Sequence, residues 1–174
     1  MALAEMMMAM GLGSLVIVAA MALTFYGSRT FATMANYVEL DRTSRLALDQ
    51  MMSDIRQADC LTSFSTNQLV FQTTDPNSGA VSSLTYTYSP GDQTVSRTFN
   101  GKTTVLLKGC QLWQPGMYQR NTVTNSFDQY VVDDTGRPDL CKAVKLTWSC
   151  SRTVPGLPMN TENVQSTKVV IRKQ

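Results

Sequence analysis

The sequence predicts an α+β fold: one long N-terminal helix, membrane-spanning over its first half, packed on an antiparallel β-sheet domain. Three observations carry this. An apolar run from Met6 to Tyr26 is interrupted on its N-terminal side only by Glu5. Apolar residues then recur at helical spacing for a further stretch, and beyond Cys60 the pattern changes to short segments rich in Val, Thr, Tyr, Phe and Leu separated by turn residues.

The apolar run leaves about 20 residues without a charge, enough to cross a bilayer as a helix. A carboxylate near one end of such a helix costs on the order of 2 kcal/mol or more if unpaired, so Glu5 calls for a cation. The nearest candidate is the free α-amino group of Met1, its own or that of a staggered copy. Past Arg29, the first positive charge, Phe31, Met34, Ala35 and Val38 fall at i, i+3, i+4 and i+7 and form an apolar stripe. The stripe is diluted by Asp41, Arg42 and Arg45. It resumes as Leu48, Met51, Met52 and Ile55, with Asp49, Asp54 and Arg56 on the opposite side. No proline precedes Pro76, so a helix to about Ala58 is expected, a rod of roughly 85 Å at 1.5 Å per residue. Residues 1–59 thus form the helix, about 1–26 in the membrane or in a filament core and 27–59 amphipathic. Residues 60–174 form one small β domain, which must supply an apolar face for the stripe.

Candidate strands in that domain are Gln68 to Thr73, Leu84 to Ser89, Thr94 to Asn100, Thr103 to Leu112, Ala143 to Cys150 and Gln165 to Arg172. Pro76-Asn77-Ser78-Gly79 and Pro90-Gly91-Asp92 mark turns, and Asn100-Gly101 is the strongest hairpin signal in the chain. Tight turns exclude parallel crossovers, so a single antiparallel meander is expected, one face on the helix and one in water. Gln114 to Leu140 reads as a long polar connection without strand pattern, the variable surface of the domain.

Composition narrows the function. Fifteen Lys and Arg against thirteen Asp and Glu give a formal charge of +2, which provides no case for specific nucleic acid binding. There is no histidine, and the four cysteines have neither CxxC nor zinc spacing, so an enzyme is not expected and neither is a cofactor. Asp133, Asp134 and Asp139 surround a glycine turn and are the oxygen donors calcium takes. The spacing is not an EF-hand and Arg137 lies inside it, so a solvated turn, not a metal site, is the expectation. Cys60, Cys110, Cys141 and Cys150 are even in number and lie beyond the membrane helix, where oxidation is permitted, so disulfides are the default. Cys141 and Cys150 flank one candidate strand, which places them roughly 30 Å apart. That leaves Cys60 bonded to one of them and Cys110 to the other, or a single bridge with free thiols. Gly11, Gly13 and Ser14 weaken the membrane helix. They serve either as close-packing positions or as a local break just after Gly13.

Met1-Ala-Leu-Ala-Glu5 followed by a Met/Ala/Gly/Val-rich span resembles the mature N-terminus of a type IV pilin. Leu48 to Ala58 (LDQMMSDIRQA) and Val169 to Lys173 (VVIRK) are similar to the helix end and last strand of minor pilins and of J-type pseudopilins of type II secretion. The resemblance implies an inner-membrane protein processed by prepilin peptidase and polymerised by pilus or secretion machinery into an extracellular filament or a periplasmic pseudopilus. It also implies that Met1 is the processed, N-methylated terminus and that Glu5 pairs with a neighbouring copy's Met1. Ala22 stands where many type IV pilins carry proline, which weighs toward the minor-pilin and pseudopilin side. The other reading of the same residues is a membrane-anchored extracytoplasmic binding module that does not polymerise.

Overall fold

We describe a computed structural model of the chain, covering residues 2–75, 77–120, 124–129, 138–153 and 161–172. Helix α1 spans Ala2–Gln57 without interruption, 56 residues. Among the described residues nine strands follow: β1 (Cys60–Phe64), β2 (Gln68–Thr74), β3 (Val81–Ser89), β4 (Thr94–Phe99), β5 (Lys102–Lys108), β6 (Cys110–Arg120), β7 (Phe127–Gln129), β8 (Ala143–Arg152) and β9 (Thr161–Val170). A 3-10 turn, Pro138–Leu140, precedes β8. The long helix on antiparallel strands is the expected α+β class, but the strands form two sheets rather than one. The first is a five-stranded meander, β1-β2-β3-β4-β5; the second has the order β7-β6-β8-β9.

The division falls at Gly109. The sequence predicts one strand from Thr103 to Leu112; the structure breaks it there, at φ +68, into β5 of one sheet and β6 of the other. A Cβ at this glycine would collide with the Ser151 carbonyl oxygen, so the two chains cross at a separation only glycine permits. Turn chemistry behaves as expected elsewhere. Asn100 and Gly101 both take positive φ, 50° and 74°, joining β4 to β5 through a two-residue hairpin with Phe99 paired to Lys102. The expected connection from Gln114 to Leu140 is partly strand: β6 continues to Arg120 and pairs with β7. Pro115 and Gly116 disguise it, since both break strands in general. Among the described residues, Pro115 and Gly116 of β6 pair with β8 alone.

The core lies between the helix and the two sheets. Leu40, Ser44, Ala47, Met51 and Ile55 are the buried line of α1, a spacing of three and four that keeps one helix face on the strands. The four apolar members, Leu40, Ala47, Met51 and Ile55, share one cluster with Leu69 and Phe71 of β2, Leu84 and Tyr86 of β3, Leu107 of β5, and Val144, Leu146 and Trp148 of β8. Leu48 and Met52 pack at its margin. The helix touches β5 of the first sheet and β8 and β9 of the second, so it closes the seam between them.

Candidate assembly surface

The domain buries the helix only from Leu40 onward. Every described residue from Ala2 to Glu39 is exposed or half-exposed. Eighteen large apolar side chains between Leu3 and Val38 lie open, each half to three-quarters accessible. Covering such a side chain is favourable by roughly 1.5–3 kcal/mol, so the segment holds tens of kcal/mol of unsatisfied burial. The stripe expected to pack on the β domain is therefore only half used. Met51 and Ile55 are buried, whereas Phe31, Met34 and Val38 are 75%, 65% and 56% exposed. The reason is reach: the domain contacts only the last third of a rod about 84 Å long.

The bare helix is built for an apolar surrounding. Ser14 donates to the Gly11 carbonyl at 2.8 Å, Thr24 to Ala20 at 2.8 Å, Ser28 to Phe25 at 2.9 Å and Thr30 to Tyr26 at 3.0 Å. Each hydroxyl thus brings its own acceptor and needs no water. The helix is long and apolar enough to cross a membrane by length and composition. Glu5 is exposed in the first turn, where the positive end of the helix dipole favours a carboxylate. Met1 lies outside the described residues. A Cβ added at Gly11 or Gly13 would meet no atom within 4 Å, and both glycines sit in unbroken helix, so the break expected just after Gly13 is absent from the single chain. Backbone amides with no neighbouring chain have no better partner than the i−4 carbonyl.

Where the helix enters the domain it is tied by polar contacts on both sides. Arg152 of β8 donates to both carboxylate oxygens of Glu39, at 2.9 and 3.3 Å, and Asn163 of β9 donates to Asp41 at 3.3 Å. Near the helix end, Arg97 of β4 grips Asp54 with two bonds, 2.6 and 3.1 Å, while the Tyr86 hydroxyl of β3 donates to the same carboxylate at 2.5 Å. The helical pattern puts Asp54 on the polar face. The structure instead leaves its side chain only 12% exposed. Burial, with the Asp54 carboxylate alongside, pushes the Tyr86 hydroxyl far above the usual tyrosine range, and the hydrogen bond to Asp54 raises Arg97. Nothing in the sequence singles out this triad, because its members lie on three elements.

All four cysteines are free thiols. Cys110 stands opposite Cys150 across β6 and β8, both buried. Cys60 opens β1, which contacts the 3-10 turn just before Cys141. Burial raises the Cys60 thiol, with the Asp59 and Asp139 carboxylates adding to it, and burial likewise raises Cys141. Asp133 and Asp134 lie outside the described residues; Asp139 sits in the 3-10 turn. Among the described residues no three His, Cys, Asp or Glu side chains group as metal ligands.

The architecture, a long apolar N-terminal helix on antiparallel sheet, is compatible with a pilin-like fold. No protein-family model matches the chain, and no curated protein matches it.

Proposed function

We propose that the chain is a structural subunit of a type IV pilus-like or pseudopilus filament, held in the inner membrane before assembly and displaying its β domain on the filament surface. The observation that carries this reading is the bare helix beyond the membrane span. About 20 residues satisfy a bilayer, yet the open apolar surface continues through Phe31, Met34 and Val38, outside lipid and clear of the β domain. Helices of further copies are the covering that fits, because the same stripe on each copy is apolar and long.

In that packing Glu5 meets the Met1 amine of a neighbour in a lipid-like core, where losing one charge strands the other at a cost of several kcal/mol. The glycines at 11 and 13 either permit close helix approach or unwind once neighbours cover the backbone. The test is Glu5→Ala in the full-length chain. Membrane insertion is expected to persist while sheared filaments disappear, and N-terminal analysis of wild-type filaments should give a methylated Met1. A wild-type chain that stays monomeric in the membrane with the assembly machinery present would favour the anchored binding module instead.

A further inference from the structure

We propose that Cys110 and Cys150 form a cross-strand disulfide, made through a cavity at the helix–sheet seam, that locks β6 to β8 where the chain passes between the two sheets. The backbone fixes the type of pairing. Cys110 donates its N–H to the Gln93 carbonyl at 2.8 Å and accepts the Tyr88 hydroxyl on its own carbonyl at 3.1 Å, so neither group faces β8. The bond between the strands is instead Ser151 N–H to the Gly109 carbonyl, 2.8 Å. This is the non-hydrogen-bonded kind of antiparallel pair, whose Cα atoms approach to about 4.5 Å with side chains together on one face. A disulfide spans Cα separations of about 4.4 to 6.8 Å. Gly109, which the Ser151 carbonyl leaves no room for a side chain, lets the two strands cross directly beside this pair.

The chemistry is directional. Cys150 lines a cavity of about 230 Å³ together with Ser44 and Thr43 of the helix and Leu107 of β5, and Glu39 and Arg152 stand at the same cavity. Cys110 does not line it. The Cys110 thiol donates to the Leu112 carbonyl at 3.1 Å, and the closeness of the two sulfurs, with burial, raises Cys110 while lowering Cys150. The buried Ser44 hydroxyl makes no close hydrogen bond of its own but also favours the Cys150 thiolate. Cys150 is therefore the attacking sulfur. Its thiolate attacks one sulfur of an external disulfide, in a small molecule or a protein, and expels one thiolate. Cys110 then loses its proton to solvent and attacks the Cys150 sulfur of the mixed disulfide, expelling the second thiolate. Two thiols of the chain are oxidised and one external disulfide is reduced to two thiols.

The inference rests on the proposed extracytoplasmic location only for the supply of oxidant in the cell, and the test avoids that dependence. Full-length chain purified reduced in detergent is treated with oxidised glutathione and digested with trypsin, which cuts between the two cysteines at Arg120, Lys142 and Lys145. The expected product is a Cys110 peptide linked to a Cys150 peptide. Trp113 and Trp148, the only tryptophans, lie three and two residues from this pair and stack at 6.2 Å. Their emission should be quenched on oxidation and recover with reductant, a change absent from C110S/C150S, whose near-ultraviolet dichroism should match the reduced chain. Linkage of Cys110 to Cys60 or Cys141, or both Cys110 and Cys150 still alkylated after oxidation of folded chain, would overturn the proposal. Filament loss in Glu5→Ala has no bearing on either outcome.

Discussion

Arg97 closes on Asp54 with two hydrogen bonds, joining the fourth strand to the last turn of the helix at a point where both side chains are four-fifths or more buried. A bidentate guanidinium–carboxylate pair is strong and directional, and removing one member leaves the other charge buried without a partner. Asp54→Ala should destabilise the β domain by about 3 kcal/mol, measured by urea unfolding, with Arg97→Ala similar and the double variant less than additive. A fully additive double variant would show that the residues act separately.

Tyr86 supplies a pH signature for the same clamp. Its hydroxyl is raised in the folded chain relative to about 10 in the unfolded one, so above pH 10 the folded state holds a proton that the unfolded state has lost. Stability from this group is present in full below about pH 10 and is lost as pH climbs further. Tyr86→Phe should cost about 1 kcal/mol at neutral pH through the lost bond to Asp54. It should also flatten the fall in urea midpoint between about pH 10 and 11; an unchanged slope would remove Tyr86 as the titrating group.

The Glu39–Arg152 pair makes the contrasting prediction. Its side chains are 60% and 35% exposed, and solvent screens such a pair to about 0–1 kcal/mol. Glu39→Ala should shift the unfolding free energy by under about 0.5 kcal/mol. A loss comparable to that of Asp54→Ala would mean that this contact anchors the helix.

Gly109→Ala is expected to cost more than its single methyl suggests. The added Cβ meets a backbone oxygen that cannot rotate away, and φ +68 is unfavourable for alanine. A loss of about 2–3 kcal/mol is expected, together with lower yield of any Cys110–Cys150 crosslink. An alanine variant as stable as wild type would show that the crossing relaxes easily.

Deleting residues 2–38 should leave the β domain folded, because none of these side chains is buried against it and the core line begins at Leu40. The truncated chain should be soluble without detergent and keep the near-ultraviolet signal of Trp148. Aggregation in a molten form would mean that the bare helix stabilises the domain after all.

The sequence alone determined what depends on neighbours along the chain. Helical spacing through Ile55, the apolar N-terminal span, the Asn100-Gly101 hairpin and the β character of the segments after Cys60 are set by local sterics and by periodicity, which a linear reading can follow. Leu69, Phe71, Val144 and Trp148 were legible as strand residues for the same reason. Tertiary structure decided what depends on residues distant in the chain. The strand predicted from Thr103 to Leu112 is broken because Gly109 must pass the Ser151 carbonyl, a contact no local pattern encodes. Asp54, polar by its place in the helix, became a buried clamp because Arg97 and Tyr86 arrive from two strands of the first sheet. Spacing left two cysteine connectivities open; in the structure all four are free thiols, and it is the register alone that places Cys110 opposite Cys150. The open face from Phe31 to Val38 shows the same division: periodicity marks it as an apolar stripe, while the limited reach of the β domain leaves it uncovered in the single chain.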